Sequence, residues 1–220
     1  GLAEWRNFTA DGSRNGTSLS LQVGQSVSIT ISGADSTGRT GISSGGAIGF
    51  SLAGATGAPS GGDTFAQAID QSRFRVEYIG GNSSVQAVGG TTFTASLPGF
   101  TDFKSGQTYI VEMVSSNQVT FRVAGGAVYN MFNLGGTTNA AIGRIEIYSR
   151  GSNMDARFSN LTVSNLAAVT FSNNSGEINT VAGVGKNNGT NNNVVKNGVG
   201  TVVLSTSNSY GGTTTVNLGI

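Results

Sequence analysis

Apolar residues recur at every second position through much of the chain. In LSLQVGQSVSITI, residues 19–31, Leu19, Leu21 and Val23 alternate with polar neighbours, and beyond a Gly24-Gln25 step Val27, Ile29 and Ile31 do the same. A period of two marks a strand with one buried face, so this stretch predicts a strand pair or one long bent strand. The alternation returns in Ile48, Phe50 and Leu52; in Phe74, Val76 and Tyr78; in Phe93, Ala95 and Leu97; in Val119, Phe121 and Val123; and in Ile145 and Ile147. No stretch shows comparable helical spacing. Turn chemistry separates the runs, as in IGGNSS at Ile79–Ser84 and LPGF at Leu97–Phe100. Short strands with turns about every 8 to 12 residues predict an all-β fold, an antiparallel sandwich.

The order of features after Phe103 narrows this. FKSGQTYIVEMVSSNQVTFRVAG, then IGRIEIYSRGSNMDARFSNLTVSN, provides a Gly-Gln-Thr-Tyr entry, two hairpin strands, a strand led by Arg144 and a closing DARFSNLTV. Over residues 1–166 the chain resembles the jelly-roll domains of the concanavalin-like lectin and laminin-G type. The resemblance implies a jelly-roll β-sandwich. Many such domains bind carbohydrate, some cleave it and others are structural spacers, so fold alone does not select a function.

Composition shifts after Leu166. Residues 167–220 are dense in Asn and Gly, with apolar residues arriving in pairs: Val169 and Phe171, Ile178 and Val181, Val194 and Val195, Val202 and Leu204. Short strands split by Asn-Gly turns predict rungs of a β-solenoid, with disorder as the competing reading that the spaced valines oppose. The closing stretch KNGVGTVVLSTSNSYGGTTTVNLGI resembles the autotransporter-associated β-strand repeat at Lys196, Gly198, Gly200, Thr201, Val202, Leu204, Ser205, Asn208, Tyr210, Gly211, Gly212, Thr213, Val216 and Gly219. It departs at Ser207, where Gly is common, and at Gly211, where Thr often follows the Tyr. The resemblance implies a bacterial surface protein and carries no chemistry. Val202, Leu204, Val216 and Leu218 are expected to face one interior, with Tyr210 over a turn. Thr213–Ile220 holds no Lys, Glu or Pro to block strand pairing, so Val202, Leu204, Tyr210, Val216 and Leu218 are the candidate residues for head-to-tail assembly with copies of the same chain.

Charge excludes several partners. Charged residues make up 10% of the chain and its net charge is +1, so no basic stripe for nucleic acid or an anionic membrane exists. The absence of Cys is permissive of export. The chain begins at Gly1 and has no apolar run of about 18 residues, so the expectation is a processed or partial sequence without a membrane span.

Candidate chemistry is sparse. With neither His nor Cys, the commonest general base and the thiol nucleophile are missing. Glycosidases of this fold need two carboxylates across a cleft, and the nearest candidate, RIEIYSRGSNMD, offers Glu146 alone with Asp155 beyond a turn. Glu77 and Glu112 sit in alternating strands, where outward-facing charges are expected. Arg73, Arg75 and Arg122 are expected on a solvated face, pairing across strands with Glu77 or Glu112. Lys104, two residues before Gly106, and Lys186 and Lys196, each next to Asn, lie in expected turns. No DxDxDG loop occurs, so no cofactor or metal ligand can be named. Trp5 and Phe8 are read either as an anchor for the first strand, which is preferred, or as an exposed platform for stacking on sugar. The resulting expectation is a non-enzymatic, extracellular bacterial structural protein assembling into a fibre. The alternative is a carbohydrate-binding adhesin with polysaccharide as its partner.

Overall fold

The computed structural model describes residues 2–8, 19–33, 47–54, 72–79, 86–89, 93–96, 106–125, 130–135, 141–150, 156–166, 168–172, 174–181, 193–205, 208 and 210–219. Most of the turns expected at Ile79–Ser84 and Leu97–Phe100, together with Lys104, Lys186 and Asp155, lie outside the described residues. The described elements are all strands. They begin with β1 (Leu2–Asn7), β2 (Gln25–Gly33), β3 (Ala47–Gly54), β4 (Ser72–Ile79), β5 (Gln86–Gly89) and β6 (Phe93–Ser96). Then come β7 (Gln107–Ser115), β8 (Gln118–Val123), β9 (Asn130–Asn133), β10 (Ile142–Arg150) and β11 (Ala156–Asn165). The last are β12 (Ala168–Ser172), β13 (Ile178–Val181), β14 (Asn193–Asn197), β15 (Thr201–Leu204) and β16 (Thr214–Val216).

A six-stranded sheet runs β1-β10-β3-β4-β5-β6 and a five-stranded sheet runs β11-β2-β7-β8-β9. The chain passes back and forth between them, which is the connectivity of an antiparallel jelly-roll β-sandwich. Chain contacts group into two compact units: residues 1–20, 30–107 and 134–159 in the first, and residues 21–29, 108–133 and 160–220 in the second. The six-stranded sheet belongs to the first unit. The second holds most of the five-stranded sheet and everything after it.

In the first unit the apolar positions are buried as expected, but the sheet is buried on its other face as well, β3 at every position. Ile48, Phe50 and Leu52 on β3, Phe74 and Val76 on β4, and Ile145 on β10 are all buried. The 19–31 stretch differs from expectation, because only Gln25–Gly33 is strand. Gly24 has φ +84° and turns the chain, while Leu19 stays exposed, so periodic spacing before the glycine made no strand.

In the second unit, Val27, Ile29, Tyr109, Val111, Val119 and Phe121 line one buried face, with the Tyr109 and Phe121 rings stacked at 5.8 Å. After Leu166 the chain forms parallel ladders, β12-β14-β16 in one sheet and β13-β15 in another. These are the rungs of a short β-solenoid. Its interior is the cluster Val169, Phe171, Val181 and Val194, with Val202, Leu204 and Tyr210 half-buried against it. Val114 of β7 belongs to the same cluster and Met131 of β9 packs on it, so the rungs close over the five-stranded sheet.

Polar contacts fix the rung register. The Lys196 ammonium donates to the carbonyls of Asn197 and Gly198 at 2.7 and 2.8 Å and, one rung on, to that of Leu218 at 3.2 Å. Asn217 donates to the Asn197 side chain at 2.7 Å. Gly219 has φ +78°, and a Cβ there would stand 2.4 Å from the Gly200 carbonyl oxygen, so only glycine lets the two corners stack. Val216 and Leu218 differ from expectation. They are 55% and 58% exposed, because β16 is the edge strand of its sheet and no described strand stacks on its far side.

Candidate functional site

The face of the six-stranded sheet opposite its apolar side carries the densest chemistry among the described residues. Directly paired residues on neighbouring antiparallel strands point to the same face. Trp5 pairs with Glu146, Glu146 with Ser51, and Ser51 with Arg75, which forms one row across β1, β10, β3 and β4. The next row places Tyr148 beside Gly49 and Gly49 beside Glu77. The spacing Arg144-x-Glu146-x-Tyr148 on one strand and Arg75-x-Glu77 on another therefore gathers these five side chains onto one side.

The floor of this face is buried. Arg144 and Glu146 are 0% and 1% exposed as side chains, with Arg144 Nη2 lying 2.6 Å from Glu146 Oε1. The Ser51 hydroxyl donates to Glu146 Oε2 at 3.3 Å. Glu77 accepts from Tyr148 Oη at 3.1 Å on one oxygen and from Arg75 Nε at 3.3 Å on the other. The tyrosine reaches across Gly49 to do so. A Cβ at Gly49 would stand 2.2 Å from the Val76 carbonyl oxygen and 2.9 Å from Glu77 Cα, so the residue between the tyrosine and the carboxylate must be bare. Burial, and after it the Glu77 charge, pushes the Tyr148 hydroxyl well above the usual tyrosine range. Burial likewise lowers the Arg73 guanidinium, which donates Nε to the Gly135 carbonyl at 3.0 Å.

Trp5 and Arg75 differ from this floor. Both are half-buried, the Arg75 side chain being 29% exposed. They stand at the two ends of one row, three strand intervals apart, or about 14 Å. The row thus carries a partly exposed indole and a partly exposed guanidinium at its ends, with the Ser51 hydroxyl and the Glu146 carboxylate buried between them.

Several expectations are corrected here. Glu77 and Glu112 do not face outward, because each carboxylate is buried by the donors that ring it. For Glu112 these are Thr120 Oγ1 at 3.1 Å and Arg122 Nε at 3.0 Å. The Arg122–Glu112 pair does cross strands as expected, but Arg75 and Glu77 share a strand, and Arg73 is buried instead of solvated. Glu146 lies between Trp5 and Ser51 in its row, which holds no second carboxylate. Lys196, expected in a turn, is buried at a rung corner. The candidate assembly residues divide, with Val202, Leu204 and Tyr210 against the solenoid interior and Val216 and Leu218 exposed. Among the described residues no group of His, Cys, Asp and Glu is arranged to hold a metal ion. Among the described residues no helix is long and apolar enough to cross a membrane, a statement that does not bear on β-barrels.

No family profile and no curated protein matches the chain. Among solved structures it is similar to sheep galectin-11 in complex with glycerol, at 14% identity over 67% of this chain and 94% of that one, with a TM-score of 0.43. It is similar to an alginate lyase from Pseudomonas aeruginosa, at 17% identity over 64% of each chain, TM-score 0.42. It is also similar to an alginate lyase of polysaccharide lyase family 7, at 15% identity over 70% of this chain and 68% of that one, TM-score 0.36. Likenesses this distant carry no argument about ligand or activity.

Proposed function

We propose that the chain is a carbohydrate-binding module, extracellular, with the Trp5–Glu146–Ser51–Arg75 row as its binding face. The observation that carries this reading is the placement of a partly exposed indole and a partly exposed guanidinium at the two ends of a row whose buried middle is tied by an ion pair and a hydrogen bond. A preformed floor loses little entropy when a ligand arrives. The reading is of binding and not of catalysis, since Glu77 accepts from a donor on each oxygen, and Glu146 is buried, accepting from Ser51 on one oxygen and ion-paired with Arg144 at the other. Residues 1–166 hold the ligand in this reading, and residues 167–220 brace the five-stranded sheet. A glycan array probed with the whole chain tests it. Selective binding that is lost in Trp5→Ala supports the reading, whereas polysaccharide turnover that disappears in Glu146→Gln replaces it with an enzyme.

A second reading, assembly into a surface filament, is favoured by β16. This edge strand bonds to β14 on one side, leaves Val216 and Leu218 exposed, and lies within the stretch that resembles the autotransporter-associated repeat. Concentration-dependent polymers that are abolished by Val216→Asp with Leu218→Asp support it. A chain that stays monomeric at high concentration removes it.

A further inference from the structure

We infer that the binding face recognises an anionic saccharide, one bearing a carboxylate or sulfate group, and that Arg75 is the residue that grips this group. The inference rests on the carbohydrate reading above and deepens it. The argument turns on which charges the face shows to solvent. The formal charges of Arg75, Glu77, Arg144 and Glu146 balance, but their exposures do not. Glu146 is buried against Arg144 and Ser51, and Glu77 is buried between Tyr148 and Arg75. Arg144 is sealed, whereas the Arg75 side chain is 29% exposed. Among these four groups the charge that reaches the surface is therefore the positive charge of Arg75.

The geometry at Arg75 completes the argument. Among the described residues its one carboxylate contact is made through Nε, to Glu77 Oε1. A guanidinium has five N–H donors in a planar fork, so the terminal Nη groups keep their donors while the Nε bond fixes the plane of the fork. A carboxylate or sulfate accepts two parallel bonds from such a fork, roughly doubling the strength of neutral hydrogen bonds. A neutral hydroxyl accepts a single bond and leaves the charge poorly solvated. Glu77 thus positions Arg75, Tyr148 and Gly49 position Glu77, and Trp5 at the other end of the row stacks on a neighbouring ring.

Isothermal titration of the full chain with matched polymers tests this: polygalacturonate against its methyl-esterified form, and dextran sulfate against dextran. The expected result is binding of an acidic member at least tenfold tighter than its neutral counterpart, and the pair that shows it tells carboxylate from sulfate. Arg75→Gln should erase that tenfold preference, Arg75→Lys should keep part of it, and Arg122→Gln, which alters a paired arginine on the five-stranded sheet, should leave it intact. Arg75→Lys retains a cation beside Glu77 and serves if Arg75→Gln fails to fold. Equal affinity for the neutral forms, unchanged by Arg75→Lys, overturns the anionic inference and leaves the carbohydrate reading standing. Binding of none of the polymers, with an empty glycan array, removes both. An acidic preference that Arg75 and Arg122 substitutions weaken alike is diffuse surface attraction and also overturns the inference.

Discussion

At the scale of single residues, Tyr148 and Gly49 hold the polar face together. Removing the hydroxyl in Tyr148→Phe leaves a buried Glu77 oxygen without its donor, an expected cost of about 1–3 kcal/mol in urea denaturation. The same variant should change the alkaline limb of stability. Unfolded tyrosine titrates near 10, and the folded hydroxyl titrates higher. The contribution of this group is fully present below about pH 10 and is lost as pH rises from there toward the raised folded value. Stability should therefore fall less steeply above about pH 10 in Tyr148→Phe than in the parent chain; equal slopes would contradict the assignment. Gly49→Ala forces a strand shift against Val76 and should destabilise by about 1–3 kcal/mol. Little of this was legible beforehand. Alternation shows which residues share a face but not what covers a polar one, so Glu77 and Glu112 looked like solvated charges. The signal that could have revealed the burial of Glu77 and Glu146 is the i, i+2 spacing of opposite charges on two separate strands, RFRVEY and RIEIYS.

At the scale of elements, the solenoid and the five-stranded sheet share one apolar cluster. Phe171→Ala opens a cavity there and should cost about 3–5 kcal/mol. Because Val114 lies in the same cluster, amide exchange should rise on β7 as well as on β12; a change confined to β12 would show that the rungs fold independently. Lys196→Met removes three donors from the rung corner, so the Asn217 amide, which bonds to the Lys196 carbonyl, should lose protection while β7 does not. The rungs themselves were readable from paired valines and Asn-Gly turns, because short parallel ladders repeat their chemistry along the chain. Their docking on Val114 and Met131 was not, since a valine that packs on a rung and one that packs on a facing sheet have the same local pattern.

At the scale of the whole molecule, an all-β jelly roll supplies a polar sheet face on which Glu77 and Glu146 are held in ion pairs while Trp5 and Arg75 stay partly exposed. The chain contains a single tryptophan, and it lies at one end of the Trp5–Glu146–Ser51–Arg75 row. Its fluorescence therefore reports on one place. The most direct test is titration of the full chain with the saccharide that the glycan array selects, following Trp5 emission. The expected result is a saturable change whose midpoint matches the calorimetric affinity and which shifts at least tenfold in Arg75→Gln, at the far end of the same row. Saccharide binding that leaves Trp5 emission unchanged would place the ligand elsewhere and contradict the account.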